Sequence, residues 1–97
     1  MSRVLFTVSY EIPEGNRAKY LELVSKLKDI LNTDGISYSV FELEKGHNQF
    51  QEVYIYPSEE AYDASDDSDN AEADDLIQQI YSMVKDKKAQ YVRATEI

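Results

Sequence analysis

Residues 36–56 read ISYSVFELEKGHNQFQEVYIY, and this stretch decides the fold. Ile36, Tyr38 and Val40 alternate with Ser37 and Ser39, after which Phe41 and Leu43 take up the opposite parity. From Phe50 to Tyr56 a second alternating run follows. A period of two, rich in β-branched and aromatic residues, is what a half-buried strand requires. Lys45-Gly46-His47-Asn48 between the runs is a turn signal, so the segment predicts a β-hairpin. The change of parity predicts a strand that is bulged or twisted near Val40.

Upstream of the hairpin, Val4, Phe6, Val8, Tyr10 and Ile12 alternate with Leu5, Thr7, Ser9 and Glu11, which predicts a first strand. Pro13-Glu14-Gly15-Asn16 breaks it. Between Ala18 and Leu31 the apolar residues Ala18, Leu21, Val24, Leu27, Ile30 and Leu31 recur at steps of three and four, the spacing of an amphipathic helix. Lys19, Glu22, Lys26 and Asp29 make its solvated side, and Gly35 stands where a C-cap glycine is expected.

Downstream, Pro57 ends the third strand and Ser58 is placed to cap a short helix opening with Glu59 and Glu60. Asp69 and Glu72 then make a capping-box-like start for a longer helix with Leu76, Ile77, Ile80, Met83 and Val84 on its apolar side. Tyr91 to Thr95 gives the last strand. The order is βαββαβ with the second helix split in two. Short connections and right-handed crossovers turn that order into an α+β, ferredoxin-like fold: a four-stranded antiparallel sheet with helices on one face.

Composition narrows the function classes. Ninety-seven residues make one domain, 1–97, with no room for a second. Nineteen acidic against ten basic residues give a net charge of −9, which repels nucleic acid and anionic membranes. The chain has no Cys, hence no disulfide, thiolate metal site or cysteine nucleophile. The start, Met1-Ser2-Arg3, enters a strand directly, and no window approaches the roughly 18 apolar residues of a membrane span. The expected compartment is the cytoplasm. Tyr occurs eight times against three Phe and no Trp, so the aromatic surface carries hydroxyls that need partners.

With Phe6, Val8, Val53, Ile55, Val92 and Ala94 facing the helices, the other sheet face carries Leu5, Thr7, Ser9, Glu52, Tyr54, Tyr56, Tyr91, Arg93 and Thr95. Aromatics mixed with polar groups suit an enclosed surface that excludes water and hydrogen-bonds something. Two occupants fit: a second copy of the chain, or a small molecule in a cavity.

The element order, the Pro13 to Gly15 break, the hairpin and the segment Tyr56-Pro57-Ser58-Glu59-Glu60-Ala61-Tyr62 resemble the antibiotic biosynthesis monooxygenase-like group of dimeric α/β barrel proteins. The resemblance implies a homodimer whose sheets pack face to face around cavities. It also implies oxygenation of an aromatic molecule without metal or bound cofactor, or, as in other members, heme binding or degradation. Carried onto this chain, the cavity lining is Thr7, Ser9, Tyr54, Tyr56, Tyr91 and Arg93. The members that oxidise polyketides or degrade heme use a pocket Trp, which this chain lacks. A non-catalytic interaction or regulatory module, binding a protein partner through the same sheet face, is the competing reading.

The remaining candidates are weaker signals. His47, the single histidine, is a proton-transfer residue, a heme ligand or a polar turn residue, and a lone His without Cys does not make a zinc site. Asp63, Asp66, Asp67, Asp69, Glu72, Asp74 and Asp75 form an acidic run, but without the central Gly and terminal Glu of an EF-hand, so it reads as solvated caps and loop. No metal site is expected.

Overall fold

The alternation that predicts the strands is what the backbone follows. A computed structural model describes residues 2–33, 35–65 and 71–97, and in it the elements run β1 (Val4–Glu11), α1 (Arg17–Leu31), β2 (Ser37–Glu42), β3 (Gln49–Tyr56), α2 (Glu59–Ser65), α3 (Ala71–Met83) and β4 (Ala89–Thr95). Single 3-10 turns at Glu14–Asn16 and Lys85–Lys87 lead into α1 and β4. The strands form one sheet in the order β2-β3-β1-β4 with every neighbouring pair antiparallel, the ferredoxin-like arrangement expected from βαββαβ.

Ser58 caps α2 as predicted, its Oγ accepting from the Ala61 N–H at 3.1 Å. The end of α1 departs from the prediction. Asn32, not Gly35, is the C-cap: its Nδ2 donates to the Lys28 carbonyl at 2.9 Å and to the Tyr38 carbonyl at 3.0 Å, while its Oδ1 accepts from the Tyr38 N–H at 3.0 Å. One side chain thus closes the helix and ties it to β2. Gly35 serves the turn beyond, at φ +81°, where a Cβ is disfavoured. The capping box at Asp69 and the acidic positions Asp66 and Asp67 lie outside the described residues.

β2 carries no bulge. Its register with β3 runs unbroken from Ser37↔Ile55 to Glu42↔Phe50, so Phe41 keeps the alternation as an outward residue, 56% exposed. The parity change near Val40 records apolar side chains on both faces of one regular strand.

Register also fixes which side chains share a face, because directly opposed residues in an antiparallel pair lie on the same side. Val4, Phe6, Val8 and Tyr10 of β1 oppose Tyr56, Tyr54, Glu52 and Phe50 of β3. Phe6 and Val8 also oppose Arg93 and Tyr91 of β4. This is the helix side: Val8, Tyr10, Ile12, Tyr38 and Phe50 pack with Tyr20, Leu23, Val24 and Leu27 of α1 and Ala73, Leu76 and Ile80 of α3 in one buried cluster. The sequence reading placed β1 correctly and inverted β3 and β4. Val53, Ile55, Val92 and Ala94 lie on the face away from the helices, with Leu5, Thr7 and Ser9. The inversion came from ranking Val and Ile above Tyr as core formers. Gln49 and Gln51 share parity with Val53 and Ile55, however, so either orientation of β3 puts polar groups under the helices, and the one adopted buries Glu52 among phenol partners.

Candidate functional site

The helix side of the sheet holds a carboxyl that the sequence reading places on the opposite face. Glu52, mid-strand on β3, is 2% exposed. The Tyr38 hydroxyl donates to its Oε1 at 2.6 Å, and the Tyr54 hydroxyl reaches the same oxygen at 3.4 Å. Burial pushes the Glu52 carboxyl above the usual carboxylate range, and hydrogen bonds from Tyr38, Tyr10 and Tyr54 oppose that rise. Burial also pushes the Tyr10, Tyr20, Tyr38, Tyr54 and Tyr81 phenols up, with the Glu52 charge adding to it, so they are neutral donors and not phenolates. The Tyr10 and Tyr20 hydroxyls share a 2.9 Å hydrogen bond, which extends the array to α1. A buried charge in a strand is tolerated only with such partners.

From Tyr54 the array passes into an aromatic patch centred on Phe6. The Phe6 ring lies 5.8 Å from Tyr54, 6.0 Å from Tyr62 of α2 and 6.1 Å from Tyr91 of β4. Phe6 and Tyr54 are partly buried, whereas Tyr91 is 60% exposed, so the patch grades from core to solvent. Tyr56 stacks on Tyr54 at 6.2 Å and meets Tyr62 edge-on at 5.3 Å. Arg93 closes the rim: its guanidinium sits 4.8 Å over the Tyr62 ring and 3.7 Å from the Glu59 carboxylate, in a cation–π and ion-pair contact. Arg93 projects there because it opposes Phe6 on the edge strand β4, next to the start of α2.

No known sequence family and no curated protein sequence matches the chain. Solved structures do match. An antibiotic biosynthesis monooxygenase superposes with a TM-score of 0.78 at 16% identity, over 100% of this chain and 99% of that one. The chain has the antibiotic biosynthesis monooxygenase fold. SnoaB, a cofactor-independent oxygenase from Streptomyces nogalater, matches with a TM-score of 0.76 at 7% identity over 95% and 90% of the two chains. A conserved protein of unknown function from Bacteroides thetaiotaomicron, described as a possible oxidoreductase, matches at 0.79 with 18% identity over 97% of each chain.

Within this monooxygenase fold the predicted site residues fall into three places. Tyr54, Tyr56, Tyr91 and Arg93 come together on the helix side, around Phe6 and Tyr62. Thr7 and Ser9 stand on the opposite face of the sheet, Thr7 buried between β3 and β4 and Ser9 half-buried. His47 lies in the hairpin turn beyond the far end of β1 from Phe6. There its Nε2 is 3.0 Å from the Glu14 carboxylate, and both side chains are exposed.

The turn is a clamp built around Asn48, which is 3% exposed and at φ 59°. Its amide donates to Glu14 and its Oδ1 accepts from Arg17 at 2.6 Å. Arg17 also forks onto both oxygens of Glu42 at 2.7 and 2.9 Å, which fastens the hairpin to α1. Among the described residues no group of three or more His, Asp or Glu side chains is placed to hold a metal ion, and no helix is long and apolar enough to cross a membrane.

Sequence reasoning missed Glu52, Tyr38, Phe6 and Tyr62. The signal that was available is the parity of β3, where Phe50, Glu52, Tyr54 and Tyr56 form one set and Gln49, Gln51, Val53 and Ile55 the other. The first set is amphipathic residue by residue, which is how tyrosines with an internal acid fill a core.

Proposed function

We propose that the protein is a homodimeric, monooxygenase-like binder of a small aromatic molecule, seated over Phe6 on the helix side of the sheet. The observation that carries this reading is the Phe6 patch itself: ring faces from Tyr54, Tyr62 and Tyr91, with the Arg93 cation at the rim and the Glu52 carboxyl behind Tyr54. Aromatic walls supply stacking, and the guanidinium attracts a phenolate, enolate or carboxylate substituent. Removing a phenolic proton makes the ring electron-rich enough to react with dioxygen, a reaction that needs no cofactor, and SnoaB is described as a cofactor-independent oxygenase. In such a reaction the substrate is the reductant: a ring methylene loses two hydrogens and gains one oxygen of O2, and the other oxygen leaves as water.

The face away from the helices supports self-association. Leu5, Phe41 and Val92 are exposed there beside Val53 and Ile55, an apolar surface that a second copy would cover. Its strands carry small and β-branched residues that let two sheets approach closely.

Fluorescence titration with 1-naphthol tests the ligand half. Saturable binding is expected, weakened about tenfold or more in Arg93→Ala, in line with the loss of a charge-assisted contact. Absence of naphthol binding overturns the reading.

A further inference from the structure

Arg93 differs from the other two arginines of the chain, Arg3 and Arg17, in how it is held. Arg3 forks onto Glu96, its Nε 3.2 Å from one carboxylate oxygen and its Nη2 2.7 Å from the other. Arg17 forks onto Glu42 at 2.7 and 2.9 Å. The Arg93 guanidinium makes no hydrogen bond among the described residues: one oxygen of Glu59 stands off at 3.7 Å, and the two side chains are 45% and 62% exposed. Its orientation comes instead from the Tyr62 ring, whose centroid is 4.8 Å away. A guanidinium resting by its face on a ring keeps its N–H edges free, and those edges match the two oxygens of a carboxylate.

Glu59 also has room to leave. A hollow of about 270 Å³, open to solvent, is lined by Ser2, Ser58, Glu59, Glu60 and Thr95. Thr95 lies two residues beyond Arg93 on the same strand, hence on the same face of β4, so the hollow opens on the Glu59 side of the ion pair. An exposed pair without a hydrogen bond is weak, and a side chain that turns from it into the hollow gives up little. A ring seated over Phe6 brings its substituent to the same guanidinium, because Arg93 opposes Phe6 in the register of β1 with β4.

We infer that the Phe6 site takes an aromatic carboxylate, and that Glu59 is the internal competitor which this carboxylate displaces from Arg93. The inference rests on the aromatic-ligand reading of that site. A carboxylate on the ligand offers the guanidinium edge two charged acceptors, whereas Glu59 offers one oxygen at 3.7 Å and a neutral hydroxyl offers one uncharged acceptor. The exchange is noncovalent: Arg93 stays over Tyr62, Glu59 turns toward the hollow, and no proton changes place. Glu59 therefore lowers the affinity of the site for an anion, both by occupying Arg93 in the empty site and by repelling the newcomer. A ligand without charge is spared most of that cost.

The experiment titrates the whole protein with 2-naphthoate and with uncharged 2-naphthalenemethanol, which share one ring, and follows naphthalene fluorescence against a chain that has no Trp. Neutral pH and physiological ionic strength screen the long-range repulsion from the net charge of −9. Wild-type protein is expected to bind the naphthoate more tightly than the alcohol, and Arg93→Ala to remove that preference. Glu59→Gln is expected to raise naphthoate affinity about two- to fivefold, the range that an exposed ion pair spans, and to change the alcohol less. Asp63→Asn removes a charge from the same helix without touching the Arg93 pair, and is expected to change naphthoate affinity less than Glu59→Gln does. Equal or weaker binding of naphthoate by the wild type, or a preference that survives Arg93→Ala, overturns the ligand class while the site stands. A Glu59→Gln effect that is absent, matched by Asp63→Asn, or equal for both ligands overturns the competitor. If neither ligand binds the wild type, the site reading falls, and this inference with it.

Discussion

The two faces of this sheet invert the usual expectation that the most apolar residues lie under the helices. Beneath the helices stand Tyr10, Tyr38, Tyr54, Tyr56 and a glutamate, Glu52, whereas Val53, Ile55, Val92 and Ala94 face away. The contrast is one of chemistry. The helix side is a core of amphipathic residues whose polar atoms are spent on one another, and among the described residues no buried side-chain nitrogen or oxygen lacks a partner. The other face mixes apolar side chains with Thr7, Ser9, Gln49, Gln51 and Gln90, and Leu5, Phe41 and Val92 stay exposed there. Exposed apolar side chains of that kind suit contact with a partner, whereas the polar atoms of the helix side find theirs within the single chain.

The largest effect that would break this contrast is on assembly. Val53→Asp puts a charge in the middle of the apolar face, on the side remote from the helices. An unpaired charge under a partner costs several kcal/mol, so light scattering should show a dimer for the wild type and a monomer for the variant, with helical content unchanged. A wild-type monomer would leave the apolar face for a different partner and remove the homodimer from the proposal.

A smaller effect sharpens the helix-side half. Tyr38→Phe keeps the ring and removes the 2.6 Å donor to Glu52, leaving a buried carboxyl with one fewer partner. Loss of about 1–3 kcal/mol is expected, read as a lower urea midpoint at unchanged slope. An unshifted midpoint would mean that Glu52 is already hydrated, contrary to its 2% exposure.

The smallest effect is a slope with pH. Glu52 binds its proton more tightly folded than unfolded, because burial raises it from its ordinary value of 4.5. Between that value and the raised one, the native state holds more protons than the unfolded state, so this group's contribution to stability is full at acid pH and falls as pH rises through the window. Glu14, Glu42 and Glu96 run the other way, held low by Asn48, Arg17 and Arg3 respectively, and their contribution is lost as pH falls below the ordinary carboxylate range. Those three are surface carboxylates and contribute little. Urea midpoints measured from pH 4.5 to neutrality should decline in the wild type relative to Glu52→Gln; parallel curves would place no titrating proton on Glu52.

Of the fold, the sequence by itself determined the elements and their order. Period two across Val4 to Ile12 and Phe50 to Tyr56, period three to four across Ala18 to Leu31, and punctuation at Pro13, Gly46 and Pro57 are local quantities, and local quantities are legible in one dimension. Four of the six residues predicted for a cavity, Tyr54, Tyr56, Tyr91 and Arg93, also share a face as expected, since residues two apart on one strand must. Only the tertiary structure decided which face that is. Hydropathy could not settle it, because each parity of β3 mixes polar and nonpolar residues: Gln49, Gln51, Val53 and Ile55 on one, Phe50, Glu52, Tyr54 and Tyr56 on the other. The register of β3 and β4 against β1 settles it, matching Tyr54 and Arg93 to Phe6 and Glu52 to Val8. A slip of one residue in register turns every side chain over, and that choice is made by long-range packing, where the tyrosine hydroxyls find Glu52 and each other.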